Sequence, residues 1–331
     1  MVWNRCCKTM GNNSGLKLTP AEEAILTTIL YSDIFSFPLT EDELRRFLIS
    51  RKKISRSEFE VGLKKVQAYV LYKEGYYCLK KREKIIDFRI KNLSEVAKKR
   101  ERALFVAEKL AQIPSILFIG ISGGLAAGNV SEKDDIDLVI IVKKDTLFVS
   151  RLLILGLLEL LGVRRFRNQK NTANTICVNL LFDETVLSWF GRTPDVYTAR
   201  EISQIVPLFK KDEIYQKFLL ANIWIKEFLP NFVSSSNKLT FLKMWRTKKK
   251  NNSDYLLHGN DSNVIKLIGW IMVNPISESF FRKLQISWMK RHQTKEVITE
   301  HILAFHPNDY RTQTLTQLRL KMRQFGLLTK F

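Results

Sequence analysis

The chain has 331 residues, of which 45% are hydrophobic and 26% are charged. This composition excludes an intrinsically disordered chain, and the length suits roughly two or three compact units rather than one. Lysine and arginine number 54 against 33 aspartates and glutamates, so the formal net charge is +21 and the sequence pI is about 9.8. This charge favours an anionic partner, namely nucleic acid, nucleotides or an anionic membrane surface, with an inert basic surface as the alternative.

The cysteines and the apolar stretches indicate the cellular compartment of the protein. Four cysteines are scattered through the chain, namely Cys6, Cys7, Cys78 and Cys177. They form no CxxC pair and have no histidine at metal-ligand spacing, which argues against a zinc site. The N-terminus lacks the apolar core and cleavage site of a signal peptide, so we expect a flexible tail over 1–20 and a reduced, cytoplasmic protein. The most apolar stretches, 152–162 and 264–273, are shorter than the roughly 20 residues of a membrane span and predict buried helices and no membrane partner.

Residues 21–89 show three helical patterns followed by two short extended runs. Thr40 precedes the second helix, and a glutamate three residues later completes the pattern of a capping box. Ser55 or Ser57 begins the third helix, and the stretch YVLYKEGYYCLKK predicts a hairpin that turns at residues 73–75. This order resembles a winged helix, so we expect a winged-helix-like domain over 21–89.

Such a domain has two interpretations. It could bind DNA with its third helix in the major groove, or it could serve as a protein-docking or purely structural unit. The third helix carries Glu58 and Glu60 beside Lys64 and Lys65, whereas a helix in a phosphate-lined groove should be mostly basic. The second interpretation is therefore favoured, although the basic run over 45–56 keeps nucleic acid as a partner.

Beyond residue 89 the hydrophobic pattern predicts three further segments. An amphipathic stretch over 90–113 is typical of a connecting helix. Over 114–197 the order is strand, short helix, strand, helix, strand, with Thr146 opening the second of these helices. The pattern over 198–331 is helical throughout, including 294–304, and we interpret it as a helical C-terminal domain.

The stretch ISGGLAAGNVSEKDDIDLVIIV, over 121–142, carries the clearest chemical signal. Side chains two residues apart on a strand share a face, so Asp135 and Asp137 should point the same way. Two neighbouring carboxylates repel each other unless a cation lies between them, and Mg²⁺ is a hard cation that takes carboxylate oxygens. Gly123 and Gly124 would let backbone amides approach a phosphate closely.

These residues carry a family resemblance. Gly123-Gly124, ten further residues and then Asp135-Ile136-Asp137-Leu138 resemble the signature of the DNA polymerase beta-like nucleotidyltransferase superfamily. The order of strands and helices over 114–190 is similar as well. The resemblance implies an α/β (α+β) nucleotidyltransferase core with a short mixed sheet, preceded by the winged-helix-like domain and followed by the helical domain.

The resemblance also implies an activity. The protein would be an enzyme that moves a nucleoside monophosphate from a nucleoside triphosphate to an acceptor, whose identity the sequence leaves open. Asp135 and Asp137 would hold two Mg²⁺ ions, which activate the acceptor and neutralise the leaving group. Ser122, Gly123 and Gly124 would bind the phosphates.

The sequence departs from the superfamily at the third carboxylate. This group normally lies in the middle of the next strand, where NTICVNLLFDE has Asn179. An asparagine amide offers one carbonyl oxygen and is no base at neutral pH, so the two-metal site would be incomplete. Asp183 or Glu184 could replace it only if the strand were shifted. The alternative function is therefore a noncatalytic nucleotide- or DNA-binding regulator on the same fold.

Other polar residues give weaker signals. Arg164, Arg165 and Arg167 follow the central helix and predict a solvated basic loop, with contact to substrate phosphates as the alternative. The basic stretch 238–252 predicts an exposed loop rather than a nucleic-acid patch. Four histidines lie in the C-terminal part without the spacing of a metal site, namely His258, His292, His301 and His306.

Overall fold

The computed structural model of this protein describes residues 18–166, 169–188, 194–233, 275–291, 297–304 and 310–327. Some predicted features lie outside these ranges: most of the tail over 1–20, the stretches 238–252 and 264–273, Arg167, His258, His292 and His306. The chain forms two compact units, the first drawn from 1–86, 229–231 and 311–331 and the second from 87–228 and 232–310. None of the described helices is both long and apolar enough to span a membrane.

The first unit begins with three capped helices and a small antiparallel sheet. Its elements are α1 (Pro20–Ile34), β1 (Leu39–Thr40), α2 (Glu41–Arg46), α3 (Arg56–Lys65), β2 (Val70–Lys73) and β3 (Tyr76–Leu79). The predicted caps are confirmed, because Thr40 accepts from the Glu43 amide, and Ser55 rather than Ser57 caps α3. The predicted hairpin is also present, and β1 pairs with β3, so the strand order is β1-β3-β2.

Two helices lead into the second unit, where the sequence pattern predicts a single helix over 90–113. Helix α4 (Lys84–Lys91) ends before Asn92, and α5 (Leu93–Leu110) begins directly after this residue. The Asn92 side-chain amide donates to the Phe88 carbonyl at 2.8 Å, and the Asn92 backbone departs from helical geometry. Asparagine side chains compete for backbone hydrogen-bonding groups in this way, which explains the interruption.

The second unit is built on a six-stranded mixed sheet. Its further elements are β4 (Ile116–Ile121), α6 (Gly123–Ala127), β5 (Ile136–Val142), α7 (Leu147–Leu160), β6 (Ile176–Asp183), α8 (Val196–Gln204), β7 (Val206–Lys210), α9 (Ile214–Ala221), α10 (Pro275–Lys290), β8 (Val297–Ile298) and β9 (Ile302–Ala304). The strand order is β7-β4-β5-β6-β9-β8; β5 and β6 are parallel, and the other neighbouring pairs are antiparallel. The element order predicted over 114–197 is found, and the fold class is mixed α/β.

The C-terminal part is not helical throughout, contrary to the prediction for 198–331. Strands β7, β8 and β9 all come from it and extend the sheet on both sides. The segment predicted as a helix over 294–304 contains the β8–β9 hairpin in its described residues, and β9 pairs with β6. Short segments rich in valine and isoleucine suit a helix or a strand, and the available edge of β6 decides between them.

The central strands form the core around which the polar residues are placed. All residues of β4 are buried, and so are all residues of β5 except Asp137. Strands covered on both faces read as continuous apolar runs, which is why these two were recognisable in the sequence. Asp137 is therefore the one polar side chain in these two strands, at the end where β5 begins.

A buried aspartate organises the first unit. Helix α11 (Tyr310–Gln324) contributes Lys321, whose Nζ donates to Asp33 Oδ2 at 2.6 Å. Arg82 Nε donates to Asp33 Oδ1 at 2.7 Å. Asp33 is 5% exposed, and both of its carboxylate oxygens are thus paired with cations.

Candidate functional site

Three ligand-bearing side chains converge where β5 and β6 begin. Asp137 is the second residue of β5, and Asp135 immediately precedes that strand. A carboxylate oxygen of each and the Cys177 Sγ on β6 all lie within 4.8 Å of one another. The two carboxylates converge as their spacing predicts, and Cys177 joins them without a sequence signal. These three residues are named the Asp–Asp–Cys group below.

The register of the two parallel strands explains the position of Cys177. Asp137 pairs with Cys177, and the register then shifts between the partners Val178 and Leu180. Asn179 is consequently the extra residue of a bulge in β6. The residue of β6 in register with Asp137 is thus a thiol, and Asn179, expected at the third-carboxylate position, lies two residues further on. A chemical role for Asn179 stays a prediction.

The acidic residues at the C-terminal end of β6 form hydrogen bonds outside the Asp–Asp–Cys group. Asp183 is buried; its Oδ2 lies 2.8 Å from His301 Nδ1, and its Oδ1 accepts the Thr185 amide at 2.9 Å. Glu184 is exposed and accepts the Lys144 amide at 3.2 Å. The strand is not shifted in the way that would bring either carboxylate to the Asp–Asp–Cys group.

Arg165 reaches the group from the segment after α7. Its guanidinium forms an ion pair with Asp135, and its charge also acts on the Cys177 thiol. Its neighbour Arg164 pairs instead with Glu159 at 2.9 Å. Arg165 is exposed and lies in a loop, as predicted, and it also pairs with Asp135 because the fold brings the start of β5 next to a segment 30 residues away.

Burial and like charge make Asp137 difficult to ionise. Removal from water is the largest cause, the Asp135 charge is the next, and the pKa of Asp137 rises to about 7 against the opposing effect of Arg165. Burial, with a contribution from the Asp137 charge, also raises the pKa of the Cys177 thiol to about 12. The single positive charge of Arg165 does not compensate the negative charges that Asp135, Asp137 and Cys177 would carry when ionised. A further cation would stabilise these charged forms.

A further acidic side chain, Glu201, adds to the negative field around Asp137. It lies on α8, which packs against α6, and its charge contributes to the raised pKa of Asp137. Burial raises the pKa of Glu201 itself to about 7, with Arg200 opposing the shift. The sequence contains no motif for Glu201; its only signal is a charge in a helix whose apolar residues are buried.

The glycine pair begins directly beside Asp137. The Ser122 amide donates to the Asp137 carbonyl at 2.9 Å, which joins the end of β4 to β5. Gly123 has a φ of 59°, and a Cβ at this residue would lie 2.5 Å from Asp137 Oδ2. Only glycine accommodates both the left-handed backbone and this close approach. The Ser122 hydroxyl is buried and has no hydrogen-bond partner among the described residues, so it is a group that a ligand could satisfy.

Gly124 keeps the turn after α6 tight. Its carbonyl accepts the Asn129 amide at 2.8 Å. A Cβ on Gly124 would lie 3.0 Å from the Asn129 carbonyl oxygen, so a larger residue would push the loop away. The second glycine of the pair thus sets the path from the glycines to the aspartates.

A fully buried lysine holds this path in place. Lys99 on α5 has no exposed side-chain surface, and its Nζ donates to the carbonyls of Glu132 at 3.1 Å and Asp134 at 2.7 Å. The same Nζ donates to Asn174 Oδ1 at 2.9 Å. One ammonium therefore connects the segments that lead into β5 and β6, and no spacing rule identifies it in the sequence.

The donor set is suited to a divalent cation. Asp135 and Asp137 supply carboxylate oxygens of the kind that Mg²⁺ takes, and the raised pKa of Asp137 indicates negative charge that lacks full compensation. Ser122, whose buried hydroxyl has no partner among the described residues, donates its amide to the Asp137 carbonyl. The Cys177 thiol is the donor in the group that Mg²⁺ does not favour.

Comparison of the chain with protein-family models, with curated proteins and with solved structures found no match. No family is therefore assigned to the chain. Its function is inferred from the residues of this site and their surroundings.

Proposed function

We propose that this protein catalyses nucleotidyl transfer from a nucleoside triphosphate to an acceptor, with a divalent cation as cofactor. The observation that supports the proposal is the direct approach of the glycine pair to the acidic pair: Gly123 adjoins the Asp137 carboxylate, and Asp135 lies alongside. A triphosphate bound there would meet backbone groups and cation-binding carboxylates together. On this proposal residues 114–197 form a nucleotidyltransferase-like core and 21–89 a winged-helix-like domain.

Each residue of the site would have a binding role. Asp135 and Asp137 would hold the cation, which we expected to be Mg²⁺, and the bound cation supplies positive charge to the triphosphate and its leaving group. Ser122 would donate its buried hydroxyl to a phosphate oxygen, and Gly123 and Gly124 would allow backbone amides to approach it. Catalysis of phosphoryl transfer depends mostly on such positioning and charge stabilisation.

Arg165 would act on both the protein and the substrate. Its guanidinium engages Oδ2 of Asp135, which leaves Oδ1 for a ligand. The side chain is 39% exposed, so its charge also faces solvent beside the site. A partly exposed guanidinium attracts and orients phosphate groups.

Calorimetric titration with ATP and Mg²⁺ tests the binding site. We expect Asp135→Asn and Asp137→Asn each to weaken Mg²⁺-dependent ATP binding about tenfold or more, because each removes a charged ligand. Asp145→Asn is the matched control, since it makes the same charge change on a carboxylate that is 64% exposed. Metal-dependent ATP binding that survives both site substitutions would exclude the proposed site.

The activity itself requires a transfer assay. Labelled nucleoside triphosphates would be incubated with the protein and a cell extract, and transferred label would be measured. We expect Asp135→Asn or Asp137→Asn to lower transfer about 100-fold or more, the effect of removing a group that stabilises transition-state charge. Asp145→Asn should retain native transfer.

A noncatalytic nucleotide- or DNA-binding regulator is the second candidate function. The observation that favours it is the thiol of Cys177 in register with Asp137, where a third carboxylate would serve catalysis. This candidate predicts ATP binding without transfer to any species. DNA binding would be measured by fluorescence anisotropy at two salt concentrations, because phosphate contacts give a steep salt dependence.

A further inference from the structure

We infer that the Asp–Asp–Cys group is selective for a thiophilic divalent cation of the Zn²⁺ and Co²⁺ class over Mg²⁺, with Cys177 as the residue that determines the selectivity. The inference rests on the proposed function in one respect, which is that Asp135 and Asp137 are cation ligands. It concerns the identity of the cation and predicts a property that is measurable without any transfer reaction.

Backbone pairing places the thiol beside the carboxylates. Cys177 is in register with Asp137 on the adjacent parallel strand, and its Sγ and the two carboxylate oxygens lie within 4.8 Å of one another. Ligand atoms around one tetrahedral ion lie roughly 3–4 Å apart, given metal–ligand distances of about 2.0–2.3 Å. Small side-chain rotations would therefore bring all three atoms to a single ion.

The surroundings of Cys177 are unusual for a structural cysteine. Free cysteines commonly pack as small apolar side chains, whereas the Cys177 thiol lies beside the carboxylates of Asp135 and Asp137 and within the influence of the Arg165 charge. An independent feature lies next to this group: the Ser122 hydroxyl is buried without a partner, and the Ser122 amide is bonded to Asp137. Ser122 thus adds to this region a polar group that the described residues do not satisfy.

The donor chemistry discriminates between cations. Mg²⁺ takes oxygen ligands in octahedral geometry, whereas thiolate selects softer ions and Zn²⁺ accepts both sulfur and carboxylate oxygen. Two carboxylates and one thiolate carry three negative charges, and Arg165 carries one positive charge. A single divalent cation would neutralise the remainder, with the thiol proton released to solvent as the ion binds.

Cobalt titration of the full chain tests the inference. Cys6 and Cys7 would first be changed to serine, so that a thiolate-to-cobalt absorption band reports on the two remaining cysteines. We expect such a band in this background and an affinity for Co²⁺ at least tenfold higher than for Mg²⁺. Cys177→Ser should abolish the band and weaken Co²⁺ binding about tenfold or more, whereas Cys78→Ser, a change at the buried cysteine of the first unit, should alter neither.

A second variant distinguishes the loss of a ligand from the loss of the folded structure. Cys177→Asp replaces the thiol by a third carboxylate and should raise Mg²⁺ affinity while lowering Co²⁺ affinity. A band that persists in Cys177→Ser, or Mg²⁺ binding as tight as Co²⁺ binding in the background protein, would overturn the inference.

The result separates this inference from the proposed function. Co²⁺ binding through Cys177 without any nucleotidyl transfer would uphold the cation selectivity and count against the activity. Transfer supported by Mg²⁺ and unchanged in Cys177→Ser would uphold the activity and refute the selectivity.

Discussion

Two aspartates, Asp33 in the first compact unit and Asp137 in the second, have opposite electrostatic surroundings. In the first unit, Asp33 has a cation on each oxygen, Arg82 at 2.7 Å and Lys321 at 2.6 Å. In the second unit, Asp137 has other acidic side chains around it, and its pKa is raised to about 7 by burial first and by the Asp135 charge second. A carboxylate that is shielded from water and fully paired with cations stabilises the fold. A shielded carboxylate without full pairing indicates a ligand-binding site.

The second unit does contain a fully buried cation, but it is used differently. Lys99 donates to two loop carbonyls and to an asparagine side chain, and its ion pair with Glu95 is at 3.7 Å. It therefore fixes the backbone around the acidic pair without neutralising that pair. Four substitutions test this contrast between the units.

The largest expected effect is the loss of the paired aspartate. Asp33→Asn leaves Arg82 and Lys321 without their carboxylate and should cost about 2–4 kcal/mol of unfolding free energy, reduced because both cations are partly exposed. Hydrogen exchange in α1 would report the loss. Asp42→Asn, on an exposed carboxylate of the same unit, should change exchange there much less. Equal effects would refute the structural role of Asp33.

Substitution of Asp137 should have the opposite effect and stabilise the fold at neutral pH. The folded-state pKa of Asp137 lies above its ordinary value of 3.8, so its stabilising contribution is complete below that value and is lost as pH rises to about 7. Metal-free Asp137→Asn should therefore become more stable relative to the native protein between pH 5 and pH 8. The expected change is on the order of 2–3 kcal/mol, at 1.36 kcal/mol per pKa unit.

Urea unfolding at both pH values, with a chelator present, would measure this difference. The exposed Asp145→Asn is again the control and should show little change relative to the native protein. If Asp137→Asn were destabilising at pH 8, Asp137 would be a structural residue like Asp33.

Removal of the buried lysine should affect the site through its backbone. Lys99→Met removes the ammonium donor from the Glu132 and Asp134 carbonyls, and we expect divalent-cation affinity to fall roughly tenfold, as for other residues that support ligands. The control is Lys98→Met on the same helix, where the side chain is 73% exposed. Calorimetric titration with Co²⁺ compares the two, and equal affinities would show that Lys99 has no positioning role.

The smallest effect on stability is expected for the first glycine of the pair, Gly123, and the control for it is Gly162. Gly123→Ala and Gly162→Ala both place a side chain at positive φ, which costs about 1–2 kcal/mol. Only the alanine at 123 would also meet Asp137 Oδ2, since nothing lies within 4 Å of a Cβ at 162. Both variants should lose stability in thermal unfolding, Gly123→Ala at least as much as Gly162→Ala, whereas only Gly123→Ala should weaken Mg²⁺-dependent ATP binding. Unchanged binding in Gly123→Ala would argue against a phosphate site there.

Local features were well predicted from the sequence. The capping box at Thr40, a serine cap on α3, the hairpin that follows α3 and the three apolar strands over 114–197 all occur as expected. Each depends on residues within a few positions of one another, where hydrogen bonding and side-chain periodicity act directly. The convergence of Asp135 and Asp137 has the same origin, because it needs only the alternation of one strand.

The sequence by itself therefore determined the mixed class of the fold and the acidic half of the site. Only the tertiary structure decided that Cys177 rather than Asn179 lies in register with Asp137, that Arg165 pairs with Asp135, and that 297–304 forms strands. These features depend on how one segment aligns with a distant one. A single bulge changes the alignment of two strands, and an open sheet edge can convert a helical pattern into a hairpin, so neither outcome is encoded in the spacing of nearby residues.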